Sequence, residues 1–389
     1  MTMDDTPANP WKARLGLLLR WGGTLGLLGY LGTRVDWPSL AKSFAGMDAR
    51  FFMASVGVFV LAQMASALRW RALAQAQGFR DPIGPFARWY AAGMFCNLAL
   101  PSSVGGDLVR ALYLARKGNG AVLARRQAAV ASVLLDRATG LGVLIGVAGV
   151  AALSAPPGLP ARVTAPVWMA VSAAVCGLLA WPVISKVGRK IVPRLAPLLG
   201  GVDGVLRDPV LLATTTACSV VVQLGSVAQV ALVGMGMGID LPWAFYGCVV
   251  PLVSLLTLLP VSLNGMGLRE AGYVGLLAPM GVTATQSVAL SLLGFAATSL
   301  VALAGLPVLL AEGMPRRAND PIGGSDESGT ETVGDHSDQG GAGVHRRDRA
   351  RRPLAGLRLG QAPLSRLGLF RSVVRMGRVA DPEGTGLRR

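Results

Sequence analysis

Long blocks of apolar residues constrain this chain more than any other feature. They occupy residues 15–32, 51–68, 84–100, 127–152, 164–184, 210–234, 243–260 and 285–311. A bilayer core about 30 Å thick takes roughly 20 apolar residues per helix. In lipid a backbone must satisfy its own hydrogen bonds, and a chain without alternating strand patterns does so as helices. The expected fold is therefore an all-α polytopic membrane protein. Only 15% of the residues are charged, against about 25% in a soluble domain. The expected organisation is a short N-terminus (1–14), a membrane domain (15–312) and a tail (313–389).

The net charge of +16 does not point to nucleic acid, because Lys and Arg sit between the apolar blocks and in the tail. Basic loops mark the cytoplasmic side. Stretches 69–90, 110–126 and 186–207 are the most basic and are expected there, whereas 153–163 and 235–242 are expected outside. Arg34, Lys42 and Arg50 in loop 33–50 fit that scheme poorly. The first block follows Lys12 and Arg14 without a convincing cleavage site and reads as a retained helix with Arg20 snorkelling. The count closes with six full spans, two re-entrant hairpins (84–110 and 243–270) and both termini cytoplasmic; the rival is eight full spans.

An internal repeat supports the hairpins. Leu100-Pro101-Ser102-Ser103-Val104-Gly105-Gly106-Asp107-Leu108-Val109-Arg110 and Leu259-Pro260-Val261-Ser262-Leu263-Asn264-Gly265-Met266-Gly267-Leu268-Arg269 both read L-P-x-S-x-x-G-x-x-x-R. Pro and Gly break helices, and a break survives in a membrane only inside protein or beside a watery cavity. Paired breaks in the two halves of an inverted repeat are where many transporters bind substrate. Three full spans between the copies give them opposite orientations. Arg110 and Arg269 close the copies at the same offset. Each is either a topology anchor or a fork of donors for phosphate.

Polar residues in the apolar blocks extend the candidate list. Asn97, Ser102, Ser103 and Asp107 form one cluster, and Asn264, Arg269 and Glu270 a second; together they would line a polar path. Asp136 and Arg137 stand inside a long block, where charge is costly unless paired. Neighbours diverge by about 100° on a helix, so their partners belong on other helices, Asp107 or Glu270 for Arg137. The other placement puts both at the interface. Arg69-Trp70-Arg71 reads as an interfacial anchor. Gln63, Gln223 and Gln229 read as helix–helix hydrogen bonds.

No cofactor is expected. Cys96, Cys176, Cys218 and Cys248 are far apart, His336 and His345 lie in the tail, and no P-loop sequence occurs. Transport would be passive, or coupled to an ion or proton through Asp107, Asp136 or Glu270. The tail turns from Gly, Ser and acidic residues (319–343) to an Arg-rich end (345–389), a composition that predicts disorder and contact with an anionic leaflet.

Arg69-Trp70, the stretch Gly93 to Arg110, Leu135-Asp136-Arg137 with Gly140-Leu141, and Leu259 to Ala271 together resemble the lysylphosphatidylglycerol synthase transmembrane, flippase-like family of bacterial and archaeal membrane proteins. That family more often has Glu at the place of Asp136. The resemblance implies the membrane module alone, without the soluble aminoacyl-transfer domain of full-length synthases. It implies a bacterial inner-membrane lipid translocase rather than an enzyme, with an anionic phospholipid or a polyprenyl-linked lipid as partner. The substrate-binding expectation falls on Asn97, Ser103, Gly106, Asp107, Arg110, Asp136, Arg137, Ser262, Asn264, Gly265, Arg269 and Glu270. A membrane-embedded transferase on lipid-linked substrates, with Asp107 and Glu270 as acid and base, and a non-catalytic partner of another membrane enzyme are the alternatives.

Overall fold

The structure is a computed structural model that describes residues 10–99, 105–117, 122–154, 160–192, 195–259 and 261–315, with side chains from residue 21 onward. Ser103, Pro101, Pro260, the Arg20 side chain and the tail beyond residue 315 lie outside the described residues. In chain order the helices are α1 (Pro10–Arg34), α2 (Trp37–Ala45), α3 (Ala49–Ala76), α4 (Ile83–Ala99), α5 (Gly105–Lys117), α6 (Val122–Leu153) and α7 (Ala161–Leu179). There follow α8 (Trp181–Ile191), α9 (Ala196–Arg207), α10 (Pro209–Gly236), α11 (Trp243–Thr257), α12 (Leu268–Leu277), α13 (Ala284–Ala302) and α14 (Gly305–Glu312). No strand occurs among the described residues.

The chain is an all-α, multi-pass membrane protein. Five helical stretches are long and apolar enough to cross a bilayer: α3, α6, α7, α10, and α13 with α14 in series. The expected first span, α1, has 25 residues, but its glycines, Arg20 and Arg34 make it less apolar than these five. Helix starts are set locally. Asp208 accepts from Val210 N and Leu211 N, both at 3.0 Å, and Pro209 occupies a position whose N–H has no helical partner anyway. Thr283 and Gln286 form a reciprocal capping box at the start of α13.

The structure departs from expectation in the loops. The span expected to reach residue 184 ends at Leu179, and Trp181-Pro182 opens a separate amphipathic helix, α8. Helices α2 and α9 occupy stretches read as loops. Their apolar residues are too few for a span yet enough to coat one side of a short surface helix.

Helices α3 and α10 run along each other as a spine. A Cβ on Gly225 would lie 2.9 Å from the Ala62 methyl, and one on Gly236 would lie 2.9 Å from the Phe51 Cβ. Small residues permit such close approach where lipid supplies no hydrophobic drive. Two interior clusters flank the spine. One gathers Trp70, Phe86, Trp89 and Tyr113, and the other Phe245, Tyr246 and Tyr273.

Each cluster seats one of the repeat stretches. Gly93 meets Arg110 and Asn97 meets Gly106, so α4 and α5 run antiparallel. Thr257 meets Gly265 and Val253 meets Gly272, so α11 and α12 do the same. At 17 and 13 residues, and 15 and 10, these arms only just reach or fall short of a spanning length. The second turn contains Asn264, Gly265 and Gly267 at φ 49°, 75° and 79°, the left-handed region that glycine and asparagine tolerate best.

Two devices hold the hairpins. Thr24 Oγ1 of α1 accepts a hydrogen bond from Leu263 N at 2.8 Å, inside the protein. Thr24→Val is expected to destabilise by about 1–3 kcal/mol, because it orphans a buried N–H, while Thr24→Ser keeps stability. Thermal melting of the detergent-solubilised protein checks this. At the other hairpin, Glu312 accepts from Trp89 Nε1 at 3.0 Å and pairs with Arg88 at 3.3 Å, while Tyr113 Oη donates to the Gly313 carbonyl at 2.6 Å.

Candidate functional site: a buried ion cluster opening onto a line of cavities

Asp136 sits near the middle of α6 and is only 2% exposed. A lone carboxylate there would be prohibitively costly. It is held by two cations. Arg69 Nε of α3 reaches Oδ1 at 2.8 Å, and Arg110 Nη2 of α5 reaches Oδ2 at 2.8 Å. Both arginines are 5% exposed. Arg69 Nη1 also donates to Ser219 Oγ on α10 at 2.9 Å, so four helices meet at one carboxylate.

Glycines make the seats. A Cβ on Gly140, one turn beyond Asp136, would lie 3.0 Å from Arg69 Nη1. One on Gly93 would lie 2.8 Å from Arg110 Cγ. The Arg110 guanidinium packs against two aromatic rings, 4.3 Å from the Trp70 centroid and 4.2 Å from that of Tyr90. This cation–π contact stabilises a largely buried charge. Arg110 Nη1 also faces Asp107 at 3.6 Å, and Arg137 bonds to Asp107 from the α6 side. The buried Arg110 Nε–H has no acceptor among the described residues. Three arginines against two aspartates leave the cluster with one formal positive charge.

The second repeat stretch builds a smaller cluster. Glu270 Oε2 accepts from Gly267 N at 2.6 Å and so caps α12. Its Oε1 accepts from Arg269 Nη2 at 2.6 Å and from Ser291 Oγ at 2.8 Å. Arg269 Nε bonds to Ser291 at 2.9 Å, and its guanidinium lies 4.5 Å from the Phe295 ring centroid. Both arginines of the repeat thus combine a carboxylate with an aromatic face.

The two hairpins touch where α4 nears its end and the second hairpin turns. Asn264 Nδ2 donates to the Asn97 carbonyl at 3.0 Å, and Asn97 Oδ1 accepts from Gly106 N at 2.8 Å. Three adjoining cavities pass this point. The first, about 250 Å³, is lined by Arg69, Asn97, Asp107, Arg110, Asp136 and Arg137 among others. The second, about 280 Å³, shares Tyr90, Met94 and Asn97 with it and reaches Asn264. The third, about 200 Å³, shares Phe59, Phe295 and Thr298 with the second and ends at Arg269 and Ser291.

Of the residues singled out in the sequence, Asn97, Gly106, Asp107, Arg110, Asp136 and Arg137 come together around the first cavity, and Asn264 and Arg269 line the other two. Gly265 and Glu270 shape the second hairpin behind them, and the buried Ser262 Oγ has no partner among the described residues. Asp136 and Arg137 do separate, as their angular divergence requires, and Arg137 takes Asp107 rather than Glu270. Gln223 and Gln229 bond to the Gly140 and Gly294 carbonyls of neighbouring helices.

Arg69 was read as an interfacial anchor, and the structure corrects that. Helix α3 continues to Ala76, so Arg69 lies inside it and turns inward. The signal was Asp136 itself, since a carboxylate so deep in an apolar block needs a cation from another helix. Trp70 and Tyr90 had no such signal, because aromatic residues near a span end are ordinary interface anchors.

A family model described as the lysylphosphatidylglycerol synthase TM region matches residues 14–305, and thus all of the elements that build the two clusters. No curated protein matches the chain.

Proposed function

We propose that this chain, which belongs to the family of the lysylphosphatidylglycerol synthase transmembrane region, moves an anionic lipid headgroup along its line of cavities. Family membership makes it a membrane protein related to lipid modification or translocation. The observation that carries the finer reading is the series of adjoining cavities, sharing lining residues pairwise, from Arg110 and Asp136 to Arg269.

A phosphate crossing a low-dielectric core needs donors already in place. At the first cluster Asp136 acts as a resident counter-ion, keeping Arg69 and Arg110 charged and oriented between arrivals. The Arg110 Nε–H, which has no acceptor among the described residues, and the surplus positive charge are what an incoming phosphate oxygen would take up. Asn97 and Asn264 offer neutral amides at the midpoint, and Arg269 a second guanidinium beyond. The route is amphipathic, with Tyr90, Met94 and Phe295 beside the polar groups, which suits a headgroup whose acyl chains stay in the bilayer. On this reading the partner is a phospholipid or a polyprenyl-linked lipid, the membrane is the bacterial inner membrane and both termini are cytoplasmic. The membrane module would run over 15–312, between a short N-terminus (1–14) and a tail (313–389).

Lipid flip-flop in proteoliposomes tests this, with fluorescent phosphatidylglycerol, an aminoacylated analogue and a polyprenyl phosphate. The protein should accelerate one lipid class. A charge-assisted hydrogen bond contributes about 1.5–3 kcal/mol, so Arg110→Ala and Arg269→Ala should each slow that lipid about tenfold or more. Equal, slow flip-flop in every sample would sink the passive route, and formation of a new lipid product would favour an embedded transferase.

A further inference from the structure

A fourth cavity, about 490 Å³, lies apart from that route, between α8 and α9, and we infer that it is a binding site for the headgroup phosphate of an anionic phospholipid in the surrounding leaflet. This inference does not depend on the translocation reading.

Helix α8 has three faces when its residues are placed at about 100° intervals. Trp181, Ser185 and Gly188 form the first and pack towards α9, where a Cβ on Gly188 would lie 3.0 Å from Leu199 Cδ1. Pro182, Lys186, Arg189 and Lys190 occupy the next sector. Val183, Ile184, Val187 and Ile191 fill the remainder, and all four are exposed, Ile191 to 73%. A basic flank beside a bare apolar flank is the pattern of a helix lying in a membrane interface. Its position agrees, because α8 follows directly on α7, whose last residues, Leu178 and Leu179, are also exposed to their surroundings.

The cavity sits on the basic side of this helix. Trp181, Ser185, Lys186, Arg189, Asp203 and Arg207 line it. One carboxylate is present, and it is already engaged. Asp203 Oδ1 accepts from Trp181 Nε1 at 2.8 Å, Oδ2 accepts from Ser185 Oγ at 3.0 Å, and Arg189 pairs with the same oxygen. Asp203 therefore builds the pocket floor. Lys186 and Arg207 have no ion-pair partner among the described residues, and they leave the lining with two surplus positive charges. The cavity offers an ammonium and a guanidinium for a phosphate, and an indole edge at the depth where headgroup meets chain. The exposed Val and Ile side chains alongside take up the acyl region. A soluble anion would have no use for that apolar flank.

The floor is anchored on the protein. Leu199 and Val205 of α9 are buried, and Val205 packs with Leu73 and Leu135. Leu135 is the immediate neighbour of Asp136 and points about 100° away from it round α6. Helix α9 and the buried ion cluster thus approach α6 from different directions.

The test uses the full chain in liposomes of phosphatidylcholine with one-quarter phosphatidylglycerol. Photoreactive, diazirine-bearing analogues of each lipid are added in parallel, and adducts are mapped by mass spectrometry. On α8 and α9 the phosphatidylglycerol probe should label several-fold more than the phosphatidylcholine probe. Lys186→Gln with Arg207→Gln should bring that ratio close to one, with unchanged labelling elsewhere on the chain. Each interfacial cation contributes roughly a fivefold preference at the membrane surface, so removing two is well within reach of detection. Equal labelling by the two probes in the wild type would overturn the assignment. So would a preference that survives the double substitution, or one abolished by millimolar inorganic phosphate, which would make the ligand a soluble anion.

Discussion

Asp136→Asn is expected to lower the stability of the purified protein by about 3–5 kcal/mol, because it removes a carboxylate bonded to two buried arginines. For a chain of this size that is a fall in melting temperature on the order of 10 °C. The cost comes less from the lost attraction than from a buried Arg69 left without a counter-charge and a buried Arg110 left with only Asp107, at 3.6 Å. Two further variants separate these contributions. Asp136→Glu keeps the charge and adds one methylene, and it should cost only about 1 kcal/mol. Replacing Arg69 and Arg110 by Met together with Asp136 by Leu removes all three charges and should restore most of the stability. The triple variant should nevertheless accelerate no lipid flip-flop. If Asp136→Asn melts with the wild type, the cluster is hydrated and the assignment of a dry ion centre is wrong.

The second large effect is steric. Asn97 and Gly106 lie so close across the first hairpin that a Cβ on Gly106 would stand 2.7 Å from the Asn97 side-chain amide and would also run into the Gly93 carbonyl. The Gly93 carbonyl is helical backbone and has nowhere to go. Gly106→Val is therefore expected to force α4 and α5 apart, costing about 3 kcal/mol or more. It should also displace Arg110, which is seated one turn further along α5 against Gly93. Thermal melting reads the first effect, and the flip-flop assay reads the second. A Gly106→Val protein that keeps wild-type stability would show that the hairpin packs less tightly than described.

Much of this architecture is legible in the sequence for physical reasons. Span positions follow from apolar length, and the two hairpins from Pro and Gly recurring together in the same pattern at two places. Asp136 declares itself by its cost. What stays hidden is long-range pairing. Asn97 and Asn264 are separated by 167 positions, and no local pattern says that the side chain of one meets the backbone of the other. Arg69 is hidden for a related reason. Its neighbours Trp70 and Arg71 mimic an interfacial anchor, and only the further two turns of α3 place it inside. Glu270 looks like a proton carrier by type, yet Gly267, Arg269 and Ser291 occupy its oxygens. Helices α8 and α9 are hidden because their apolar pattern is too short for a span, and α8 is also interrupted by Lys186, Arg189 and Lys190.

The contact between the two hairpins has a kinetic side. It is a single bond between a neutral amide and a carbonyl, from a side chain whose own backbone holds the left-handed conformation and need not move when it swings away. Such a bond contributes about 0.5–1.5 kcal/mol net. A latch of that strength springs open by thermal motion alone, leaving the gap ajar on the order of a tenth of the time at the upper end of that range. On the proposed route, traffic past the midpoint would then be metered by how often this latch flickers, with no fuel consumed and no preferred direction.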